Sequence, residues 1–262
     1  MGKPLFKILT TLLFATNLFA KPPLQTHSKA VEAVHTRYYS GEFEYNTQDQ
    51  PIKKFMQALQ TIENNISLDY SKNSVEYLYL KLLIALVMCD IAHLSTSKSE
   101  SELIIAKVTQ TYEHGTQIQA SPEVHPDYWR ALGELALKLT IHDPLSAYFY
   151  TVNGKRYLDK ALAIHPDNIN LIIPFIIFHI KGVSNLTFNK IRITTNYLKI
   201  ADQLPLNSRQ NFIKEMAKSS LLVRTRKRLE GIAALKEALK IFPNSQLVPE
   251  AIEAIKQGNS FF

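Results

Sequence analysis

Apolar residues recur along most of this chain at the three-to-four-residue spacing of an α-helix. Leu78, Leu82, Ala85 and Cys89, for example, form one apolar stripe. The 262 residues include only 8 glycines, which also favours helices over a turn-rich β fold. The pattern predicts an all-α protein with helices at 28–40, 50–67, 73–94, 99–119, 126–141, 154–165, 168–182, 189–203, 207–224, 227–242 and 246–257.

An internal repeat organises the second half of the chain. The segments 158–166, 198–205 and 235–243 each begin Leu-x-x-Ala, continue as helix and end in proline, with asparagine close behind. Leu and Ala three positions apart lie on one helix face, the small Ala allows close approach of a neighbour, and the proline ends the helix. Helix hairpins of this kind bury their apolar faces by stacking. The repeat predicts an α-solenoid of antiparallel hairpins closed by a C-terminal capping helix.

These residues resemble the tetratricopeptide repeat. Ala161 and Ala238 stand five residues before their prolines, and Gly154 and Gly231 stand seven residues earlier still, as that family's small positions do. Upstream, the segment 129–133 reads Trp-Arg-Ala-Leu-Gly, like the start of the family's first helix. The resemblance implies a single tetratricopeptide-like domain over 21–262, clearest over 126–243. The spacing departs from the family: Ala161 comes late after Trp129, and the middle repeat is one residue short.

A narrower resemblance is to the periplasmic T-components associated with TRAP transporters. It depends on Tyr128-Trp129 with the small residues that follow, a longer connection, and the Ala-Leu-x-x-x-Pro-Asp segment at 161–167. The chain lacks that family's lipidation cysteine and has only Lys-Gly-Val-Ser-Asn at 181–185 in place of its glycine-rich stretch. The resemblance implies a protein that works beside a solute-binding protein and handles a small hydrophobic or organic-acid ligand.

The N-terminus has the order of a secretory signal peptide. Lys3 and Lys7 precede the apolar segment 8–20, and Lys-Pro-Pro follows at 21–23. This mostly apolar segment of 13 residues is too short for a bilayer span, which needs about 20. We expect residues 1–20 to be cleaved and the protein to be exported, to a bacterial periplasm. Lys21 occupies the position where a lipoprotein would have cysteine, and an uncleaved N-terminal anchor is the alternative.

The charge balance adds one candidate contact. The formal net charge is +7, and cleavage would remove Lys3 and Lys7 from it, which leaves an excess too mild and too dispersed to predict nucleic-acid binding. One basic cluster stands out, formed by Arg224, Arg226, Lys227 and Arg228. It is either a solvated turn or a contact for an acidic partner or for anionic lipid headgroups, so that any membrane contact is peripheral.

No catalytic motif is apparent. Histidine stands beside a carboxylate at 125–127, 142–143 and 165–167, without the spacing of a zinc site, and we interpret these pairs as helix-end residues. The only cysteine is Cys89. We therefore expect no metal, no cofactor and no enzymatic activity.

The segment 142–153 is the most informative irregularity. It holds three consecutive aromatic residues, Tyr148, Phe149 and Tyr150, where the hairpin connection should be short. Two interpretations of this loop are open: it packs across a neighbouring hairpin and fills a gap in the stack, or it leans over the concave face and contacts a ligand. On the second interpretation these residues, with Trp129 and Arg156, are candidate ligand or partner contacts.

Three functions remain open from the sequence. The first is an exported scaffold that holds a protein, a peptide or a small ligand on its concave face, as an accessory to solute transport. The second is a helical enzyme with His142 and Asp143 in a pocket under the 142–153 loop. The third is an assembly factor held at the membrane by an uncleaved N-terminal segment.

Overall fold

The computed structural model describes residues 24–42, 51–95, 97–118, 126–181 and 187–259. The proposed signal peptide at 1–20 lies outside these ranges. Within them every regular element is a helix, and short 3₁₀ turns lie at Ala92–Leu94 and Ile169–Leu171. The eleven α-helices of the described ranges are α1 (Leu24–Ser40), α2 (Pro51–Asp69), α3 (Val75–Ile91), α4 (Lys98–Thr116), α5 (Pro126–His142), α6 (Ala147–Ile164), α7 (Ile172–Lys181), α8 (Phe188–Ala201), α9 (Ser208–Arg224), α10 (Arg228–Ile241) and α11 (Leu247–Lys256).

The all-α prediction is therefore confirmed, and the helices pack in the predicted pairs. α3 pairs with α4, α5 with α6, α7 with α8, and α9 with α10, while α11 packs against α10 at the C-terminal end. We call α3, α5, α7 and α9 the first helices and their partners the second helices. One boundary was wrong: α6 begins at Ala147, so the predicted 142–153 loop is a turn at 143–146 followed by two helical turns.

Local capping explains where several helices begin. The hydroxyl groups of Ser74 and Thr187 accept hydrogen bonds from backbone N–H groups in the first turns of α3 and α8. At the start of α9, Asn207 and Gln210 form a reciprocal capping box. Each of these capping bonds joins residues only three positions apart. The starts of these helices could therefore be predicted from the sequence.

The first helices run parallel to one another, as the contacts at their ends demonstrate. At their N-terminal ends, Asn168 donates to Asp127 at 2.7 Å and Gln210 donates to Asn170 at 3.0 Å. At their C-terminal ends, Lys138 of α5 contacts Asp90 of α3, and Arg224 of α9 donates to the carbonyl oxygen of Ile180 in α7. The ends of all first helices, and the starts of the second helices that follow, consequently share one edge of the stack, which we call the turn edge.

Small residues bring α5 and α6 together. A Cβ atom added at Gly133 would lie 2.9 Å from the carbonyl oxygen of Gly154, and one at Gly154 would lie 2.9 Å from a methyl carbon of Leu137. Ala161, two turns further along α6, is fully buried. The close approach of these two backbones is the physical role of the small positions that the repeat pattern indicated.

Helix α1 lies across the first helices instead of continuing the stack. It packs against α2 and α3, and it also contacts α9 near the other end of the chain. The ring of Tyr39 meets that of Phe212, with centroids 5.7 Å apart. Gly41 follows α1 with φ +70°, and a Cβ atom there would lie only 2.0 Å from the carbonyl oxygen of Asn244. This turn requires glycine because the chain passes so close to the C-terminal hairpin.

None of the helices in the described ranges is both long enough and apolar enough to cross a bilayer.

Candidate functional site

A cleft of about 440 Å³ lies between α1 and the N-terminal halves of the first helices. Aliphatic side chains such as Val31, Leu83 and Ile173 form part of its wall. The rest of the wall is polar or charged and comes from four α-helices and the 3₁₀ turn before α7, with contributions from Glu32, Tyr79, Asp127, Arg130, Glu134, Asn170, Arg209 and Gln210. Helix α1 packs over the concave face of the first helices, and the cleft is the space that is left between α1 and that face.

One ion pair joins α1 to α9 across the cleft. The Nε of Arg209 lies 2.7 Å from a carboxylate oxygen of Glu32, and Arg209 is 14% exposed. Burial lowers the pKa of Arg209, but the charge of Glu32 and its hydrogen bond raise it overall. The two residues are 177 positions apart in the sequence. Because they connect the two ends of the stack, this pair helps to hold α1 in place.

The carboxylate of Asp90 is the second attachment point of α1. It accepts hydrogen bonds from His35 Nε2 at 2.7 Å and from the Tyr39 hydroxyl at 2.8 Å, and Lys138 contacts its other oxygen. Burial alone would raise the pKa of Asp90, but Lys138 and His35 hold it well below its usual range. Burial, reinforced by Arg209, lowers the pKa of His35, so the ring is neutral at pH 7 and donates its Nε2–H.

Arg130 lies at the centre of the side of the cleft that α5 forms. Its Nε lies 3.3 Å from Oδ1 of Asp127, and its Nη1 lies 2.9 Å from Oε2 of Glu134. One guanidinium group therefore binds two carboxylates of the same helix. Although burial lowers the pKa of Arg130, these two charges raise it overall. The three residues are held with little freedom. The cleft therefore offers fixed charges and amide groups beside aliphatic side chains, an arrangement that can bind and orient a small ligand with polar and apolar parts.

The residues singled out from the sequence lie elsewhere. Trp129 is buried within the α5–α6 hairpin, where its ring stacks on Tyr157 and the Nζ of Lys160 lies 3.4 Å from the ring centroid. Arg156 is exposed, and its guanidinium donates to the Tyr157 hydroxyl at 3.2 Å. Neither side chain lines the cleft.

The aromatic residues of the predicted loop are divided by the helix on which they lie. Tyr150 is buried against Tyr112 of α4, with ring centroids 5.4 Å apart, so it has the packing role that was the alternative. Tyr148 and Phe149 are 76% and 60% exposed at the start of α6. The interpretation in which a loop carries these rings over the concave face does not hold, because the segment is helical from Ala147 and belongs to a second helix.

The basic cluster is partly explained by helix termination. Arg226 has φ 66°, and the N–H groups of Arg226 and Lys227 bond the carbonyls of Val223 and Leu222, which is a Schellman motif. Arg224 donates to Ile180 and Lys227 lies 3.5 Å from Glu230. Arg228 is exposed in the first turn of α10. All four residues lie at the turn edge, at or beyond the end of α9 opposite to its cleft-lining residues.

The histidine–carboxylate pairs have separate surroundings. His142 is exposed at the end of α5. Hydrogen bonds from the side chain of Ser146 and from its backbone N–H, the latter at 3.2 Å, lower the pKa of the Asp143 carboxyl group. His165 and Asp167 lie in an exposed turn, and His125 lies outside the described ranges. Where the structure describes the chain, no three His, Cys, Asp or Glu side chains are grouped to hold a metal ion.

The sequence reasoning missed the cleft residues Glu32, Arg130, Glu134 and Arg209. One signal was present, since Asp127, Arg130 and Glu134 follow the i, i+3, i+7 spacing of a single helix face. Charges on one face of a helix are usually solvated, and only the neighbouring helices make this face internal.

Comparisons with protein-family models, with curated proteins and with solved structures returned no match to this chain.

Proposed function

We propose that this protein is an exported, non-enzymatic binding protein that holds a small ligand in the cleft beneath α1. The helical array would be a divergent relative of the tetratricopeptide type, with α1 as an internal lid over its concave face. An accessory role beside a solute-binding protein, as the T-component resemblance implies, is compatible with this proposal.

The size of the cleft favours a small ligand over a peptide or protein. A helical or extended partner needs an open groove, and here α1 occupies that groove through the contacts of Glu32, His35 and Tyr39. The remaining space of about 440 Å³ lies within the range of small-molecule sites, about 300–1,000 Å³. This cleft of small-molecule size with charged walls is the observation on which the proposal depends.

Native mass spectrometry of the purified protein tests the proposal. We expect a co-purified mass that is present under non-denaturing conditions and lost on unfolding. A matched pair of variants on α1 locates the site: Ser28→Phe places a ring in the cleft, whereas Ala33→Phe places one on the exposed face of the same helix. Ser28→Phe should abolish the bound mass and Ala33→Phe should retain it. Equal retention in both folded variants would contradict a ligand in the cleft.

The two other functions remain predictions with their own tests. Turnover that is lost in His142→Gln would support the helical enzyme. N-terminal sequencing of the exported protein distinguishes a soluble form that starts at Lys21 from a membrane-anchored assembly factor.

A further inference from the structure

Exposed apolar side chains are concentrated at the turn edge. Leu145 is 99% exposed in the turn before α6, and Phe188 and Leu229 are 83% and 84% exposed at the starts of α8 and α10. Tyr148 and Phe149 extend the apolar surface into the first turn of α6. Monomeric proteins tolerate single exposed apolar residues, but repetition at equivalent positions of three successive hairpins indicates a surface with a role.

The architecture places these residues beside one another along the stack. Because the first helices are parallel, all the second helices begin at the same edge, and the contact of Arg224 with Ile180 joins the last two hairpins there. The packing of α6 against α7 joins the α5–α6 hairpin to the α7–α8 hairpin. The turn edge is therefore continuous from α6 to α10.

Cationic side chains accompany the apolar ones. Arg192 is exposed in the first half of α8, and Arg226 and Arg228 are exposed around the start of α10. Arg156 is exposed near the middle of α6, further from the edge. Among the described residues, Arg226 and Arg228 have no ion-pair partner, and Arg192 donates to the neutral amide of Asn189. Of the acids at this edge, Glu230 is paired with Lys227, and Asp143 in the turn before α6 offsets one of the cations. The edge thus presents uncompensated positive charge next to protruding apolar and aromatic tips.

We propose that the turn edge docks on the surface of an anionic lipid bilayer. Aromatic and aliphatic tips gain free energy by entering the headgroup–acyl boundary, and arginines beside them attract anionic headgroups. The combination distinguishes a lipid surface from a protein partner, because insertion needs protruding apolar tips and not a groove. This docking is independent of the cleft, which opens on the opposite side of the first helices from the second helices.

Flotation of the purified protein with lipid vesicles tests the proposal. Vesicles of phosphatidylcholine alone are compared with vesicles that also contain phosphatidylglycerol, at low and high salt. Every variant keeps the same N-terminus, so that the apolar segment 8–20 contributes equally throughout. We expect binding that requires phosphatidylglycerol and weakens with salt. The double variant Arg226→Gln/Arg228→Gln should bind about thirty-fold more weakly, since each cation near an anionic surface contributes about fivefold.

Two control substitutions test whether binding depends on the turn edge itself, and not only on the total charge or the total exposed apolar surface of the protein. Lys199→Gln/Lys236→Gln removes the same charge from exposed positions away from the turn edge and should leave binding within about twofold. Phe149→Ser should weaken binding about tenfold, whereas Leu68→Ser, which removes an 86% exposed side chain at the opposite edge, should not.

Circular dichroism checks that each variant is folded. Two results would overturn the proposal: vesicle binding that is equally strong with and without phosphatidylglycerol, or vesicle binding that is weakened equally in the edge variants and the control variants. So would concentration-dependent dimerisation without lipid that the edge variants abolish, because the edge would then be a contact between copies of the chain.

Discussion

Replacing Asp90 by asparagine should cost the protein about 3 kcal/mol of its free energy of unfolding. The substitution keeps the shape of the side chain but leaves the charge of Lys138, which is 18% exposed, without its buried partner. Breaking a buried ion pair from one side costs about 3–5 kcal/mol. The amide oxygen of asparagine can still accept a bond from His35 or Tyr39, so we expect the lower end of that range.

Urea denaturation followed by circular dichroism provides the measurement, with Asp159→Asn as the matched control. Asp159 pairs with Lys155 on the surface of α6, where both side chains are about half exposed, and such pairs contribute about 0.5 kcal/mol. A loss below about 1 kcal/mol for Asp90→Asn, or equal losses in the two variants, would refute the buried role of this carboxylate.

A double variant examines the reason for the loss. If the cost comes from the stranded charge of Lys138, then adding Lys138→Met to Asp90→Asn should recover about 1–2 kcal/mol, because no unpaired buried charge remains. If the cost comes from His35 and Tyr39 instead, the second substitution should recover nothing.

Three further outcomes follow from the structure. Gly133→Ala should lower the free energy of unfolding by about 2 kcal/mol, because the clash with the carbonyl of Gly154 exceeds the gain of about 1 kcal/mol in helix propensity; an increase in calorimetric stability would contradict this packing. Arg226→Gly should raise the melting temperature and the free energy of unfolding by about 1 kcal/mol, because φ 66° strains any residue with a Cβ atom. The folded-state pKa of His35 lies below its unfolded value of 6.5, so its contribution is present at pH 7 and should be lost as the pH falls below 6.5. His35→Gln should flatten this part of the stability–pH curve; the groups that face the ring are Asp90, Tyr39, Lys138 and Arg209.

The helices and their pairing were predictable because their causes are local. The apolar stripe of α3, the capping asparagine at 207 and the close-packed glycine at 154 all act through residues a few positions away or through the adjacent helix. The start of α6 was misplaced because the helix was located from the repeat positions Gly154 and Ala161, so the residues before them were assigned to a longer connection. Tertiary contact decides that segment, since Tyr150 packs against Tyr112 of the preceding hairpin and makes the helical conformation favourable.

The sequence by itself determined the fold class, ten of the eleven helix starts to within a few residues, and the hairpin pairing. Only the tertiary structure decided where α1 goes and where a ligand site lies. The polar residues Glu32 and His35 look solvated in isolation, and their partners Arg209 and Asp90 are 177 and 55 positions away. Charges compensate one another through space, so a cleft built from such pairs exists only after the stack has brought them together.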